Sequence, residues 1–172
     1  DALGRFEDLN GFQRLLPEVG TNVAVATPYA LEQEEVAAVE GRLRRTTDGF
    51  VASCVRLGAS GHAARYLLAL RDHLDNEPAA ACNLRNDQKV RDALDTTKLN
   101  AVRIDRDDQP DETREGEGGT MEWSARTAAS RDVFPDAVLD PGAVGKEPMV
   151  RLTAPDVDTL VERVEGIAEA VE

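Results

Sequence analysis

The chain has 172 residues, enough for one domain with a real core and too few for two ordinary ones. Its 41 % hydrophobic content excludes a wholly disordered tail, and no apolar run approaches the roughly 20 residues of a membrane span. With 20 Lys+Arg against 33 Asp+Glu the net charge is −13, a field that repels a phosphate backbone and argues against direct nucleic-acid binding.

In chain order, Leu3, Phe6, Leu9, Phe12 and Leu16 recur at helical spacing, predicting one amphipathic helix stopped by Pro17. An extended run from Thr21 to Thr27 follows, then a short acidic helix from Leu31 to Val36. Leu43–Thr46 and Phe50–Arg56 flank Thr47-Asp48-Gly49 and read as the two arms of a hairpin, since Asp-Gly suits a tight turn. Ser60 is the expected N-cap of a helix reaching to about Leu74. Ala81–Leu84 and Ala101–Ile104 read as strands separated by a helix over Asp87–Leu94. Asp105 to Gly119 is charged and poor in large apolar residues, so a surface excursion or mobile loop is expected there. A helix over Trp123–Ala129 and strands over Ala137–Asp140 and Met149–Thr153 complete the pattern before the last helix. That helix starts near Pro155 and puts Val157, Leu160, Val161, Val164, Ile167 and Val171 on one face. Strands and helices interleave without a regular βαβ rhythm, which predicts a mixed sheet with helices on its faces.

Lys89, Lys98 and Lys146 are the only lysines, and the other basic residues are arginines. Acid excess with few lysines is the composition of a halophilic protein, soluble in a very salty cytoplasm where ions screen its self-repulsion. Cys54 and Cys82 both lie in apolar runs and are read as buried free thiols. His73, beside Arg71 and Asp72, is read as exposed. The chain opens on Asp1 inside a helical pattern and without Met, as expected of a piece of a longer polypeptide with a domain upstream.

Four polar segments lie between the apolar runs. Pro17-Glu18-Val19-Gly20-Thr21-Asn22 is the first. The second, Gly58-Ala59-Ser60-Gly61-His62-Ala63-Ala64-Arg65, enters a helix directly after a strand. Small residues there let backbone N–H groups approach an anion, and the helix start adds about half a positive charge. His62 could donate to that anion, although such a segment is also an ordinary turn. The third is Asp140 to Pro148, where Lys146 is a point charge in an arginine-using chain and suits a phosphate oxygen or plain solvent. The fourth is Cys82-Asn83-Leu84-Arg85, where Asn83 interrupts an apolar run or closes a strand end. Without a His or Cys pair, or a nucleophile elbow, zinc hydrolysis and Ser-His-Asp chemistry are poorly supported. A phosphorylated small molecule suits these turns best.

Pro17–Asn22, Val36-Ala37-Ala38-Val39-Glu40-Gly41-Arg42, Gly58–Arg65 and Val144-Gly145-Lys146-Glu147-Pro148-Met149, in that order, resemble the ThiN domain, the archaeal-type thiamine-phosphate synthase domain. The resemblance spans nearly the whole chain and implies a single domain over residues 1–172 and a role in thiamine biosynthesis. It implies a three-layer α/β/α fold with a mixed, mostly antiparallel sheet, similar to class II aldolases. The implied reaction joins hydroxymethylpyrimidine diphosphate to thiazole phosphate, giving thiamine phosphate and pyrophosphate. The implied catalytic pair is Arg42 and His62, with Arg44 or Arg45 as alternatives for the arginine. Asn22, Gly58, Ser60, Gly61, Asn83 and Lys146 are the implied substrate-binding residues. Mg²⁺ is expected from the family chemistry, with Glu147 or Asp140 at hand but no ligand assigned. An upstream kinase-like domain, a cytoplasmic location and a homodimer are further expectations. The alternative is a domain that senses thiamine phosphate behind a helix-turn-helix module and regulates transcription.

Overall fold

The apolar runs assemble into strands and helices within residues 2–74, 78–114, 118–130 and 134–171, which the computed structural model describes. The strands are β1 (Val23–Ala26), β2 (Val36–Val39), β3 (Arg44–Thr46), β4 (Gly49–Val51), β5 (Val55–Leu57), β6 (Ala80–Arg85), β7 (Ala101–Arg103), β8 (Ala137–Asp140) and β9 (Met149–Ala154). The helices are α1 (Ala2–Asp8), α2 (Gly61–Arg71), α3 (Gln88–Thr97), α4 (Asp111–Arg114), α5 (Gly119–Ala129) and α6 (Val157–Ala170). Seven strands form one sheet in the order β5-β2-β1-β6-β9-β8-β7, and β3 pairs with β4 apart from it. Neighbours in the large sheet run antiparallel except β7 and β8, which are parallel.

Because successive side chains on a strand point to opposite faces, each strand feeds two cores. On one face Cys82, Leu84, Val150 and Leu152 pack against α6 and α3, and α1 joins through Phe6. Leu160, Val161, Val164 and Ile167 of α6 are all buried there, each contributing about 1.5–3 kcal/mol. On the other face, Ala24, Ala26, Ala38 and Ala81 meet Ala64 and Leu67 of α2, and Val102 and Val138 meet Ala125 and Ala128 of α5. Helices thus cover both faces of a mixed, mostly antiparallel sheet. The small side chains of the α2 face leave room between helix and sheet, and the cleft described below opens there.

Several expectations need correction. The first helix is broken: α1 ends at Asp8, and Gly11 in the left-handed region (φ 81°) starts a separate 3-10 turn over Phe12–Arg14. Phe6, Phe12 and Leu16 are buried all the same, so the spacing marked the core but not the continuity; the Leu3 side chain lies outside the described residues. The acidic helix is a 3-10 turn over Gln33–Glu35, and Val36 opens strand β2 instead. The hairpin's second arm splits in two. β4 turns back on β3, whereas β5 leaves to pair with β2 at the sheet edge. Cys54, just before that edge, is exposed rather than buried, with its Sγ 3.5 Å from Glu40 Oε2. Within Asp105–Gly119, residues 115–117 lie outside the described residues; the preceding part is the expected surface excursion, mostly exposed, but it carries structure of its own. It holds a 3-10 turn over Arg106–Asp108 and the one-turn α4, with Gln109 buried against Thr113 and Thr120.

Candidate active site

Three turns and one strand end converge on the α2 face of the sheet. After β5, Gly58 takes a left-handed conformation (φ 71°); its N–H donates to the Val36 carbonyl (3.0 Å) and its carbonyl accepts from Gln33. The chain then enters α2, where Ser60 Oγ accepts from the Ala63 N–H (3.4 Å) as the N-cap and His62 stands in the first turn. The positive end of the helix dipole points the same way.

The second turn joins Gly20–Asn22 to Gly41–Leu43. Thr21 and Leu43 exchange both backbone hydrogen bonds (2.9 and 2.7 Å). Only glycine fits at position 20, because φ is 85° and a Cβ would lie 2.6 Å from the Leu43 carbonyl oxygen. Arg42 is itself left-handed (φ 73°), a conformation that costs about 1 kcal/mol for a residue with a Cβ, and its Nη1 donates to the Val19 carbonyl (3.1 Å). The third turn follows β8. Gly142 and Gly145, both at positive φ, let Ala143 and Lys146 pair across it. The Glu147 carboxylate then reaches over and accepts from the N–H groups of Glu18 (2.9 Å) and Val19 (3.1 Å), clamping the third turn to the first.

These pieces enclose a cleft of about 350 Å³. Arg42, His62, Ser60, Asn22, Asn83 and Lys146 all line it. Gly61 lines an adjoining pocket together with Arg42, Arg44 and His62, and Gly58 lines neither. Arg45 is elsewhere: its guanidinium donates to the carbonyls of Gln13 (2.9 Å) and Leu16 (3.0 Å), closing the 3-10 turn. The Asn83 amide is committed to backbone, accepting from the Asn22 N–H (2.8 Å) and donating to the Gly20 carbonyl (3.0 Å). It fixes Asn22, whose Nδ2 donates to the Val39 carbonyl and whose Oδ1 is buried with no partner among the described residues. Such an orphaned acceptor suits a ligand N–H.

The cleft also holds groups that the sequence reading passed over. These are Arg106, Arg151 and Tyr66, which line its floor around Asp140, the carboxylate already at hand in the sequence, almost fully buried at the end of β8. Burial works against the Asp140 charge. The Arg106 hydrogen bonds, the Arg151 charge and the Gly142 N–H outweigh it and hold the carboxyl below its usual value. Burial pushes the Tyr66 phenol and the Cys82 thiol above their ordinary values, so both stay neutral. A sequence signal did exist for Arg151, a charged residue inside the otherwise uncharged central strand Met149–Ala154. Arg106 had none, being buried in an acidic run. Arg42, Arg106, Lys146 and Arg151 against Asp140 and Glu147 make the cleft positive in a chain of net charge −13.

Among the described residues no helix is long and apolar enough to cross a membrane. The family model for thiamine-phosphate synthase ThiN matches residues 1–166. Thiamine-phosphate synthase ThiN of Methanothermobacter thermautotrophicus is 32% identical over 163 residues, 94% of this chain and 85% of that protein. The bifunctional thiamine biosynthesis protein ThiDN of Methanocaldococcus jannaschii is 31% identical over 156 residues, 89% of this chain but 36% of the relative. A crystal structure of the C-terminal domain of phosphomethylpyrimidine kinase superposes with a TM-score of 0.88 at 30% identity, covering 96% of this chain and 94% of that one. One curated relative is named as a synthase and the other as a thiamine biosynthesis protein, which gives the transcriptional sensor no support. The chain belongs to the thiamine-phosphate synthase ThiN family, a family of transferases.

Proposed function

We propose that the cleft condenses hydroxymethylpyrimidine diphosphate with thiazole phosphate, releasing thiamine phosphate and pyrophosphate. The observation that carries this reading is convergence: Arg42, His62, Ser60, Asn22 and Lys146, spread over more than 120 residues, line one positive cleft. In the reaction the bond from the pyrimidine methylene carbon to the diphosphate oxygen breaks, and its electron pair leaves with pyrophosphate. The thiazole nitrogen supplies the lone pair for the new C–N bond. Charge therefore builds on the departing oxygen, where fixed cations and N–H groups act best. Arg42, Lys146 and the α2 start with Ser60 and Gly61 hold the diphosphate, and His62 donates to the leaving oxygen. Asn22 Oδ1 accepts from the amino group on the pyrimidine edge, and Asn83 keeps Asn22 in place.

Magnesium, expected from the family chemistry, finds no all-protein site among the described residues, and substrate phosphate oxygens would supply most of its ligands. Among the described residues no three His, Cys, Asp or Glu side chains could share an ion. The two carboxylates that line the cleft among the described residues are committed, Asp140 to arginines and Glu147 to backbone N–H groups. We further propose that the domain works behind a kinase-like domain, which the bifunctional relative and the kinase C-terminal structure support.

Pyrophosphate release in high salt, with Mg²⁺ and both substrates, tests the reading. Release that needs both substrates and yields thiamine phosphate is expected. Tight binding of thiamine phosphate with no turnover would replace it by the sensor.

A further inference from the structure

The floor of the cleft carries a cluster that the diphosphate chemistry above leaves unused. Arg106, from the 3-10 turn, meets the Asp140 carboxylate through Nε–Oδ1 (2.8 Å) and Nη2–Oδ2 (2.5 Å). Arg151, from β9, meets it through Nη2–Oδ2 (2.9 Å). Among the described residues, two guanidinium groups on one carboxylate leave one positive charge uncompensated, on side chains that are each only 12% exposed. Gln109 Oε1 accepts from Arg106 and Ser124 Oγ from Arg151, which fixes both groups while using part of the five N–H donors each carries. The Arg151 guanidinium lies 5.5 Å from the centre of the Tyr66 ring. Tyr66 is 2% exposed, and its hydroxyl has no hydrogen-bond partner among the described residues. A buried hydroxyl without a partner is unfavourable, and this one stands beside surplus positive charge in a ligand-sized cleft.

We propose that Arg106, Arg151 and Tyr66, held in shape by Asp140, form a second anion subsite that takes the phosphate monoester of the thiazole substrate; naming that substrate rests on the synthase reading. One surplus charge and a neutral hydroxyl donor match a monoester. The more highly charged diphosphate matches a different wall, where Arg42, Lys146 and the α2 start gather. That wall continues into the adjoining pocket lined by Arg42, Ser60 and His62, which gives departing pyrophosphate a way out. A nucleophile must approach the methylene carbon from the side opposite the leaving group, so the two phosphate ends belong at opposite ends of the cleft.

Titration calorimetry on the wild type, Tyr66→Phe and Arg151→Met tests the subsite. The probes are thiazole phosphate, the dephosphorylated thiazole alcohol, hydroxymethylpyrimidine diphosphate and inorganic phosphate. Tyr66→Phe keeps the ring packed and loses only the hydroxyl. It is expected to weaken thiazole phosphate by about 5–10-fold, and Arg151→Met by about 30-fold or more, as for neutral and charge-assisted hydrogen bonds. The alcohol and the diphosphate should stay within about twofold, a hydrogen bond's worth below either loss. Equal losses for phosphate and alcohol, unchanged thiazole phosphate binding, or a loss confined to the diphosphate would each overturn the proposal. A wild type that ignores thiazole phosphate refutes the synthase reading, and inorganic phosphate then decides the subsite. Weaker phosphate binding in both variants upholds it, and unchanged binding in Tyr66→Phe refutes it.

Discussion

Arg42 and Lys98 are the two described residues other than glycine at positive φ, and they differ in kind. Lys98 ends α3, a place where left-handed backbone is ordinary, but Arg42 ends no helix. Gly41 beside it is left-handed as well, and nothing lies within 4 Å of where its Cβ would be. A turn needing two such residues would be easier to make with glycine twice, so the arginine side chain is what the position retains. Strain kept at a cleft wall is how function shows in a backbone. Arg42→Gly should relieve the strain and remove the guanidinium together. Its melting temperature is expected at or slightly above that of the wild type, by up to about 1 kcal/mol in stability, as the left-handed penalty disappears. Turnover is expected to fall by about 100-fold or more, the usual loss when one donor to developing negative charge is removed. An Arg42→Gly protein that turns over within threefold of wild type, in about the same salt, would transfer the role to Arg44 on the adjoining pocket.

Among the elements, the clamp between the first and third turns decides where Lys146 stands. Glu147 offers both carboxylate oxygens to the Glu18 and Val19 N–H groups, so the Lys146 turn is held from its neighbour rather than by burial. Glu147→Gln replaces one acceptor oxygen by an amide that faces an N–H donor. Stability should drop by about 1 kcal/mol for a lost charge-assisted bond, and KM for the diphosphate substrate should rise several-fold with kcat changed less. Unchanged KM in a folded Glu147→Gln protein would mean that Lys146 is placed without the clamp. This contact also shows what a linear reading reaches and where it stops. Strands β8 and β9, helices α3 and α6 and the Ser60 cap were legible because local periodicity and capping chemistry fix them. The polar segments were legible because turns at strand ends carry sites, and three of them, in order with Val36–Arg42, carried the family resemblance. The split hairpin was not, since Val55–Leu57 pairs with β2 for reasons that lie in β2 rather than in its own residues. The floor cluster was equally hidden. Arg106 sits in a charged run that reads as solvent-facing, and only Asp140, 34 residues away, draws it inward. Long-range pairing of charges leaves no local period to find.

For the whole molecule the decisive quantity is the contrast between a net charge of −13 and a positive cleft. Excess negative charge repels itself and weakens the compact state, and salt relieves this as the screening length shrinks from about 10 Å at 0.1 M to about 3 Å at 1 M. The melting temperature is therefore expected to climb by roughly 5–10 °C between 0.1 and 2 M KCl, equivalent to about 2–3 kcal/mol for a chain of this size. Most of the rise should come below about 1 M, because little long-range repulsion survives beyond it. The cleft responds in the opposite sense. Arg42, Arg106, Lys146 and Arg151 attract the anionic substrates, so the same salt screens that attraction and raises KM. Thermal melts and initial rates over one KCl series separate the two effects, since stability and KM must rise together. A melting temperature that stays flat, or falls, would show that the acidic surface is not an adaptation to salt. A KM that falls with salt would show that the open field of the acidic surface, rather than the cleft's own charges, governs substrate approach.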